Sequence, residues 1–234
     1  MKVIVTGASK GIGRGIAATL ARHGCTVGAM ARSEEALTAL EAEIRNAGGI
    51  CCRATGDLRS MDSTASAIAQ LMERLGGVDA LINNGGIVLR RDIFEITPDE
   101  WHAMIETNVN GLFYATRAVL GAMREQERGH IINISSIAGK VPLKGGSAYA
   151  ASKFACTGFS QSLFQEVRNH GIKVTTVYPG SVDSASHRHA PDEEAGWKVT
   201  PEEVGEVCWN VLDTRQQNLL AEVEIRPLAR PGKG

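Results

Sequence analysis

Lys2-Val3-Ile4-Val5-Thr6-Gly7-Ala8-Ser9-Lys10-Gly11-Ile12-Gly13 opens the chain. A β-branched run ends in a turn with three glycines, and a helical pattern starts near Ile12. Gly7, Gly11 and Gly13 carry no side chains, so backbone N–H groups and the positive end of a helix can approach a phosphate closely. A glycine turn alone identifies little; a strand before it and a helix after it are what phosphate binding requires. Outward from this point, short apolar or β-branched runs alternate with helical patterns to the end of the chain. They fall at residues 3–6, 26–31, 50–54, 80–83, 130–134, 173–178 and 219–225, and such alternation builds a parallel sheet covered by helices on both faces. The expected class is therefore α/β, a doubly wound seven-stranded parallel sheet. Helix starts are marked by Ser33 before Glu34-Glu35, by Thr97-Pro98-Asp99-Glu100 and by Thr200-Pro201-Glu202-Glu203. The last two are capping boxes with proline at the first helical position.

At 234 residues the chain can bury one sizeable core and is short for two, so residues 1–234 are expected to form a single domain. Lys and Arg number 25 against 26 Asp and Glu, a formal charge of -1, and the basic residues are not clustered. That excludes nucleic acid and anionic membranes as partners and leaves a small molecule. The cysteines Cys25, Cys51, Cys52, Cys156 and Cys208 are odd in number and lack metal-ligand spacing, which fits a reducing compartment. No secretory apolar region precedes the first strand and no apolar run nears the roughly 20 residues that span a bilayer, so a cytoplasmic protein is expected. Residues 184–199 lack periodicity and follow a strand's carboxyl end, the place of a substrate lid in an open α/β sheet. His187-Arg188-His189, with Asp183, Asp192 and Glu193, can be drawn as a metal site, but a polar lid explains the same residues and no metal is expected. Trp197 either closes over substrate or anchors that loop. Residues 227–234, with prolines and glycines, read as a loose tail.

An acidic side chain that binds a ribose 2′-hydroxyl normally stands at the end of the second strand. Ala31 holds that place, Arg32 follows it, and Lys10 lies in the glycine loop. Two cations and no carboxylate face the 2′ position, which points to NADP(H); the alternative is that both are solvated surface charges. Glu34 and Glu35 are first-turn acids favoured by the helix dipole. Further along, Tyr149 and Lys153 are four apart and share a helix face. An ordinary phenol gives up its proton near pH 10, and lowering that to about 7 takes roughly 4 kcal/mol. One cation at about 4 Å in an effective dielectric near 20 supplies about as much. Such a pair is common by chance. Residues 130–136, His-Ile-Ile-Asn-Ile-Ser-Ser, sharpen it, because they form a strand ending in hydroxyls at a carboxyl edge, and Ser136 can donate to a developing alkoxide.

Thr6-Gly7-x-x-x-Gly11-Ile12-Gly13, Asn83-Asn84-Gly85, Ser136, Tyr149-Ala-Ala-Ser-Lys153 and Pro179-Gly180 stand in the order and spacing of the short-chain dehydrogenase/reductase family. The chain resembles the small single-domain subgroup of that family from Lys2 to about Pro227. The resemblance implies a Rossmann-like fold and hydride transfer to or from a nicotinamide cofactor. It makes Tyr149 the general acid/base, Ser136 the residue that orients the carbonyl, and Lys153 the partner that activates Tyr149 and binds the nicotinamide ribose. Asn108, in Asn108-Val109-Asn110-Gly111, matches an asparagine that holds a proton-relay water; helix packing is the alternative. For the cofactor, the resemblance assigns Gly7, Ser9, Lys10, Gly11, Ile12, Gly13 and Arg32 to the phosphate side, and Asp57 and Leu58 to the adenine side. Asn83 and Gly85 would line the cleft, while Pro179, Gly180 and Val182 would meet the carboxamide, Val182 through its backbone. Ser184 stands where the family usually has threonine. Gly85 replaces an alanine, which is expected to loosen the turn without removing a chemical group. Similar enzymes form tetramers through two helices. Here the corresponding segments, residues 101–123 and 154–167, carry Phe113, Leu120, Phe159 and Phe164, more apolar surface than one sheet face needs, so a homo-oligomer, tetramer or dimer, is expected.

These readings converge on an NADP(H)-dependent oxidoreductase interconverting a carbonyl and a secondary alcohol. One alternative is a reductase of 3-oxoacyl thioesters on a carrier protein, disfavoured because Glu127 and His170 stand where a basic docking patch is expected. A non-catalytic NADP(H)-binding regulator is the other, disfavoured because no proton-transfer residue is missing. Val88, Leu89 and Leu143 describe a mixed pocket without naming its substrate.

Overall fold

The computed structural model describes residues 1–184 and 195–229. Strand β1 (Lys2–Thr6) leads into α1 (Gly11–Arg22), β2 (Thr26–Ala31), α2 (Glu34–Asn46), β3 (Ile50–Thr55), α3 (Met61–Leu75) and β4 (Ala80–Asn83). Then come α4 (Pro98–Ile105), a π-turn at Glu106–Asn110, α5 (Gly111–Glu125), β5 (Gly129–Ile134), α6 (Ser147–Val167), β6 (Ile172–Pro179), α7 (Pro201–Leu212) and β7 (Glu222–Ile225). The strands lie in the order β3-β2-β1-β4-β5-β6-β7, all parallel. This is the doubly wound, Rossmann-like sheet. The chain winds outward from β1 to β3, then crosses back to place β4 on the other side of β1. A crevice opens at the carboxyl ends of the strands where that direction reverses.

Alternation along β1 builds the two faces. Val3 and Val5 point into a core with Ile16 and Leu20 of α1, Leu37 and Leu40 of α2, and Val204 and Cys208 of α7. Ile4, between them, points to the opposite core with Ile68 and Leu71 of α3, Val119 and Met123 of α5, and Leu163 of α6. A strand buried on both faces reads as an unbroken apolar run, as β1 does. Ser33 accepts from Ala36 N at 3.3 Å, and Thr97 and Thr200 each close a full capping box with Glu100 and Glu203. Helices α1 and α7 approach so closely that a Cβ on Gly15 would lie 2.6 Å from the carbonyl carbon of Pro201. The start of α7 is thereby held beside the helix that opens the glycine loop.

Much of the expected lid, residues 185–194 with His187, Arg188, His189, Asp192 and Glu193, lies outside the described residues, as do residues 230–234 of the tail. Ala195–Trp197 at the lid's far end form a 3₁₀ turn, and a parallel bridge joins Val182 to Val199. All five cysteines are free thiols, and burial pushes those of Cys51 and Cys208 up to about 12. Among the described residues no three His, Cys, Asp or Glu side chains gather as a metal site, and no helix is long and apolar enough to cross a membrane.

Candidate active site

The glycine loop leaves β1 at Thr6 and is tied down from β4. The Thr6 hydroxyl accepts from the backbone N–H groups of Asn84 and Gly85, each at 3.1 Å, and Asn84 Nδ2 donates to the carbonyls of Thr6 and Gly7 at 3.1 and 3.3 Å. Gly7 sits at φ +67°, and its added Cβ would stand 2.5 Å from Gly85 Cα. At Gly13 the added Cβ would meet the Gly7 carbonyl oxygen at 2.3 Å, so only glycine lets the loop close this tightly. Unlike α2, α3, α4 and α7, helix α1 has no side-chain cap at its N-terminus. Its first N–H groups and its positive dipole end therefore face the crevice, the arrangement that suits a pyrophosphate.

A cleft of about 230 Å³ runs from this loop across the sheet edge, with Lys10 and Arg32 in its lining and Ser136, Tyr149 and Lys153 lining it as well. Ser136 caps the short turn Ile137–Gly139, accepting from Ala138 N at 3.1 Å, and its own proton is left to donate. Ser135, the adjacent hydroxyl, is committed elsewhere: it is buried and donates to the Lys153 carbonyl at 3.2 Å. Lys153 is buried, its ammonium 5.9 Å from the centre of the Tyr149 ring, and it donates to the Ile134 carbonyl at 2.9 Å. Tyr149 packs with Met104, Ala138 and Ala148, and Val88, Leu89 and Leu143 close around this group.

Asn108 lies in the π-turn, and its side chain makes three hydrogen bonds. Oδ1 accepts from Ile87 N at 2.8 Å, while Nδ2 donates to Ile87 O at 2.9 Å and to Ser152 Oγ at 3.0 Å. The amide thus clamps the loop after β4 to α6. Both amide protons are committed, which leaves the second lone pair of Oδ1 or a backbone carbonyl to hold a proton-relay water at this point. Beneath the cleft a void of about 10 Å³, room for roughly one water, is lined by Asn83, Asn108 and Lys153 among others. Here the structure departs from the expectation for Asn83. Strand alternation turns its side chain down to Thr116 and Asn133, with Oδ1 left unpartnered, and the next residue, Asn84, lines the cleft.

At the far end, Arg32 and Lys10 are exposed and form no ion pair among the described residues, so their charge is available to an anion. Asp57 is held below the usual carboxylate range by the hydrogen bonds of Arg59, whose Nη2 stands at 2.7 Å, against the opposing cost of burial. Leu58 explains the departure at Gly85: its Cδ1 lies 2.3 Å from where an alanine Cβ would be, so the missing methyl is already replaced. Gly180 is pinned by Ile225 O at 2.8 Å, and Val182 is buried, paired through the backbone with Val199. Gly11 closes against Ser184, 3.4 Å from its Cβ position.

The sequence matches the pattern of the short chain dehydrogenases over residues 1–195. The chain belongs to the short-chain dehydrogenase family. It is 35% identical over 245 residues to the NADP-dependent 3-hydroxy acid dehydrogenase YdfG of Salmonella typhi, covering 100% of this chain and 98% of that one. The 3-oxoacyl-[acyl-carrier-protein] reductase FabG of Escherichia coli is 36% identical over 192 residues, covering 82% and 77%. Among solved structures, the closed form of serine dehydrogenase complexed with NADP+ superimposes with a TM-score of 0.89 at 32% identity over 100% of this chain and 98% of that one. Within this short-chain dehydrogenase, residues not singled out from the sequence also line the cleft, notably Thr107, Ile87 and Arg90. No motif marks Ile87 and Arg90, because the loop after β4 is aimed by the Asn108 clamp and not by local pattern, and Thr107 is presented by the π-turn itself.

Proposed function

We propose that this short-chain dehydrogenase is an NADP(H)-dependent oxidoreductase that interconverts a carbonyl and a secondary alcohol. The observation that carries the reading is that Ser136, Tyr149 and Lys153 line one cleft with the uncapped start of α1 and with Lys10 and Arg32, cations that form no ion pair among the described residues. The residues fit the cofactor: glycines where Cβ atoms would block the loop, N–H groups for a pyrophosphate, and two cations for a 2′-phosphate. When bound, NADP(H) supplies or takes up the hydride. Tyr149 gives its proton to the carbonyl oxygen in reduction and takes it back in oxidation. Ser136 donates a hydrogen bond to the same oxygen as negative charge grows there. Lys153, fixed by Ile134 O, keeps a positive charge beside Tyr149. Asn83 is proposed to support the floor beneath the cofactor and not to touch it. A cytoplasmic homo-oligomer is the proposed working form.

A small anionic substrate, an oxo or hydroxy acid, is favoured by Arg90. It lines the cleft two residues beyond Val88, which packs with Tyr149, and forms no ion pair among the described residues, whereas neighbouring Arg91 pairs with Glu100 at 3.3 Å. Relatives named for 3-hydroxy acids and for serine agree with that choice. The likeness to FabG keeps a carrier-bound thioester as the second reading. Ketones, oxo acids and 3-oxoacyl thioesters, offered with NADPH and followed by its absorbance, separate the two. Tyr149→Phe is expected to abolish turnover of the best substrate while NADPH affinity stays within about twofold, since only the proton-transfer hydroxyl is lost. Substantial turnover by that variant, or no turnover of any carbonyl by the parent, defeats the reading.

A further inference from the structure

The turn that presents Ser136 is a closed unit. Gly139 N donates to Ser136 O at 2.8 Å, and Lys140 N donates to Ile137 O at 2.9 Å, so Ser136 and Lys140 are the two ends of one short turn. Lys140 then reaches across to the edge of the sheet. Its ammonium lies 2.8 Å from Glu222 Oε2 and 3.0 Å from Glu224 Oε1, both on β7, and 4.3 Å above the ring of Tyr178 on β6, which is completely buried. Both acids are themselves held. Glu222 Oε1 accepts from Gln161 of α6 at 2.8 Å, and Glu224 Oε2 accepts from Arg226 Nη2 at 2.8 Å. The other side of the turn is tied to α6 as well, since Thr157 Oγ1 contacts the carbonyls of Gly139 and Lys153 at 3.2 and 3.1 Å.

A lone exposed ion pair contributes little to stability. This one differs in having both carboxylates oriented by second partners and an aromatic ring beneath the cation, which fixes a direction. The hydrogen bonds from Lys140 hold both glutamates below their usual range, and those same bonds raise Lys140, so the charges persist through the neutral range. Ser136 needs such fixing. A hydroxyl that polarises a carbonyl must be held within about 0.5 Å of its productive place, and backbone turns alone do not guarantee that. Gln161 also lies on the helix that carries Tyr149 and Lys153, so the network references the serine to its catalytic partners.

We propose that Lys140 is a positioning residue: with Glu222 and Glu224 it sets where Ser136 Oγ stands relative to Tyr149, and so acts on the chemical step and not on cofactor binding. The inference rests on the proposed roles of Ser136 and Tyr149. Its test uses the best substrate of the carbonyl panel, with Lys140→Met and Lys140→Arg made in the parent and in a Ser136→Ala background, at raised enzyme concentration for the latter. Lys140→Met should lower kcat about ten- to a hundredfold, the scale of a misplacement near 1 Å, while KM for NADPH moves less than about twofold. Lys140→Arg should recover most of kcat, and in the Ser136→Ala background Lys140→Met should cost nothing further, because the residue it serves is gone. The same loss in both backgrounds, a parallel rise in KM for NADPH, or an unchanged kcat overturns the proposal. Should Lys140→Met fail to fold, the paired Glu222→Gln and Glu224→Gln substitutions, which keep shape, carry the same expectations. Retained turnover by Tyr149→Phe would instead defeat the underlying site assignment, so the two failures are distinct.

Discussion

Arg32 stands close enough to Asp57 to help hold its carboxylate ionised, yet it has no ion pair of its own among the described residues. Ala31 beside it offers no carboxylate to compete for a ribose hydroxyl. Charge-assisted hydrogen bonds from Arg32 to a 2′-phosphate contribute roughly 1.5 to 3 kcal/mol each, so kcat/KM should favour NADPH over NADH by at least about tenfold. Arg32→Ala should erase most of that preference, and Ala31→Asp should reverse it, because the new carboxylate accepts from the ribose hydroxyls and repels the phosphate. Equal use of both cofactors by the parent would show these cations to be ordinary surface charge. At this scale the sequence was legible where a motif fixes both residue type and backbone, as for Gly7, Ser136, Tyr149 and Lys153. It was not legible at Asn83-Asn84, because which amide points into the cleft depends on where β4 stops alternating. Nor was the Asp57–Arg59 pair, which closes only through the turn between them.

Strands β5 and β6 enter the sheet side by side, with His130 opposite Lys173 in register. Thr175 uses its hydroxyl proton on Leu220 O at 2.7 Å, so His130 Nε2, 2.8 Å from Thr175 Oγ1, must donate, and Nδ1 is left a buried acceptor without a partner. A second proton would have no acceptor, and burial, with Lys173 nearby, pulls His130 down to about 3. The unfolded chain takes up that proton near 6.5 and the folded chain does not, so stability is complete above 6.5 and falls as the pH drops through the window toward 3. Between neutrality and about pH 5 the expected loss is about 2 kcal/mol, in a range above that where Glu222 and Glu224 titrate. Urea unfolding of the parent and of His130→Leu across that range should show the parent losing more; parallel slopes would exclude His130 as the cause. The elements themselves were legible because parallel strands buried on both faces read as apolar runs and because Ser33, Thr97 and Thr200 announce their helices. Strand β7 begins later than its apolar pattern suggests, at Glu222, since Leu220 O is taken by a side chain and not by the ladder. The π-turn at Glu106–Asn110 left no local signal; it is imposed by the Asn108 contacts with Ile87 and Ser152.

At the scale of the whole molecule, the helix that carries Tyr149 and Lys153 presents an apolar patch outward in its first half, before the exposed Gln161, Ser162, Gln165 and Glu166. Its inward side is buried, and its outward side presents Phe154, 45% exposed, with Ala155 and Gly158 also exposed. Adjacent α5 adds Phe113 at 43%, edge-on to Phe159 at 6.4 Å, and α4 adds Trp101 at 39%. A contiguous exposed apolar patch of this kind marks a surface that a partner covers. The small residues Ala155, Gly158 and Gly121 permit close approach, for nothing lies within 4 Å of a Cβ at either glycine. The proposed occupant is a second copy of this chain, because one apolar patch spanning two adjacent helices can meet its own copy about a twofold axis. A stable pairing buries about 800 Å² per partner, within reach of two helix faces of 15 and 21 residues. Light scattering of the parent at micromolar concentration should therefore give a mass that is a multiple of 24.9 kDa, a dimer or a tetramer. Phe113→Asp combined with Phe154→Asp should shift it toward the monomer, since each buried aromatic contributes on the order of 2 kcal/mol to such a contact and a carboxylate there is desolvated without a partner. Because α6 also holds the proposed catalytic pair, the dissociated variant should lose kcat and thermal stability together, whereas Ala42→Glu, an exposed substitution on α2 across the sheet, should lose neither. A monomeric parent, or a doubly substituted protein that keeps the parent's mass, would mean that this apolar face is covered by something other than the chain itself.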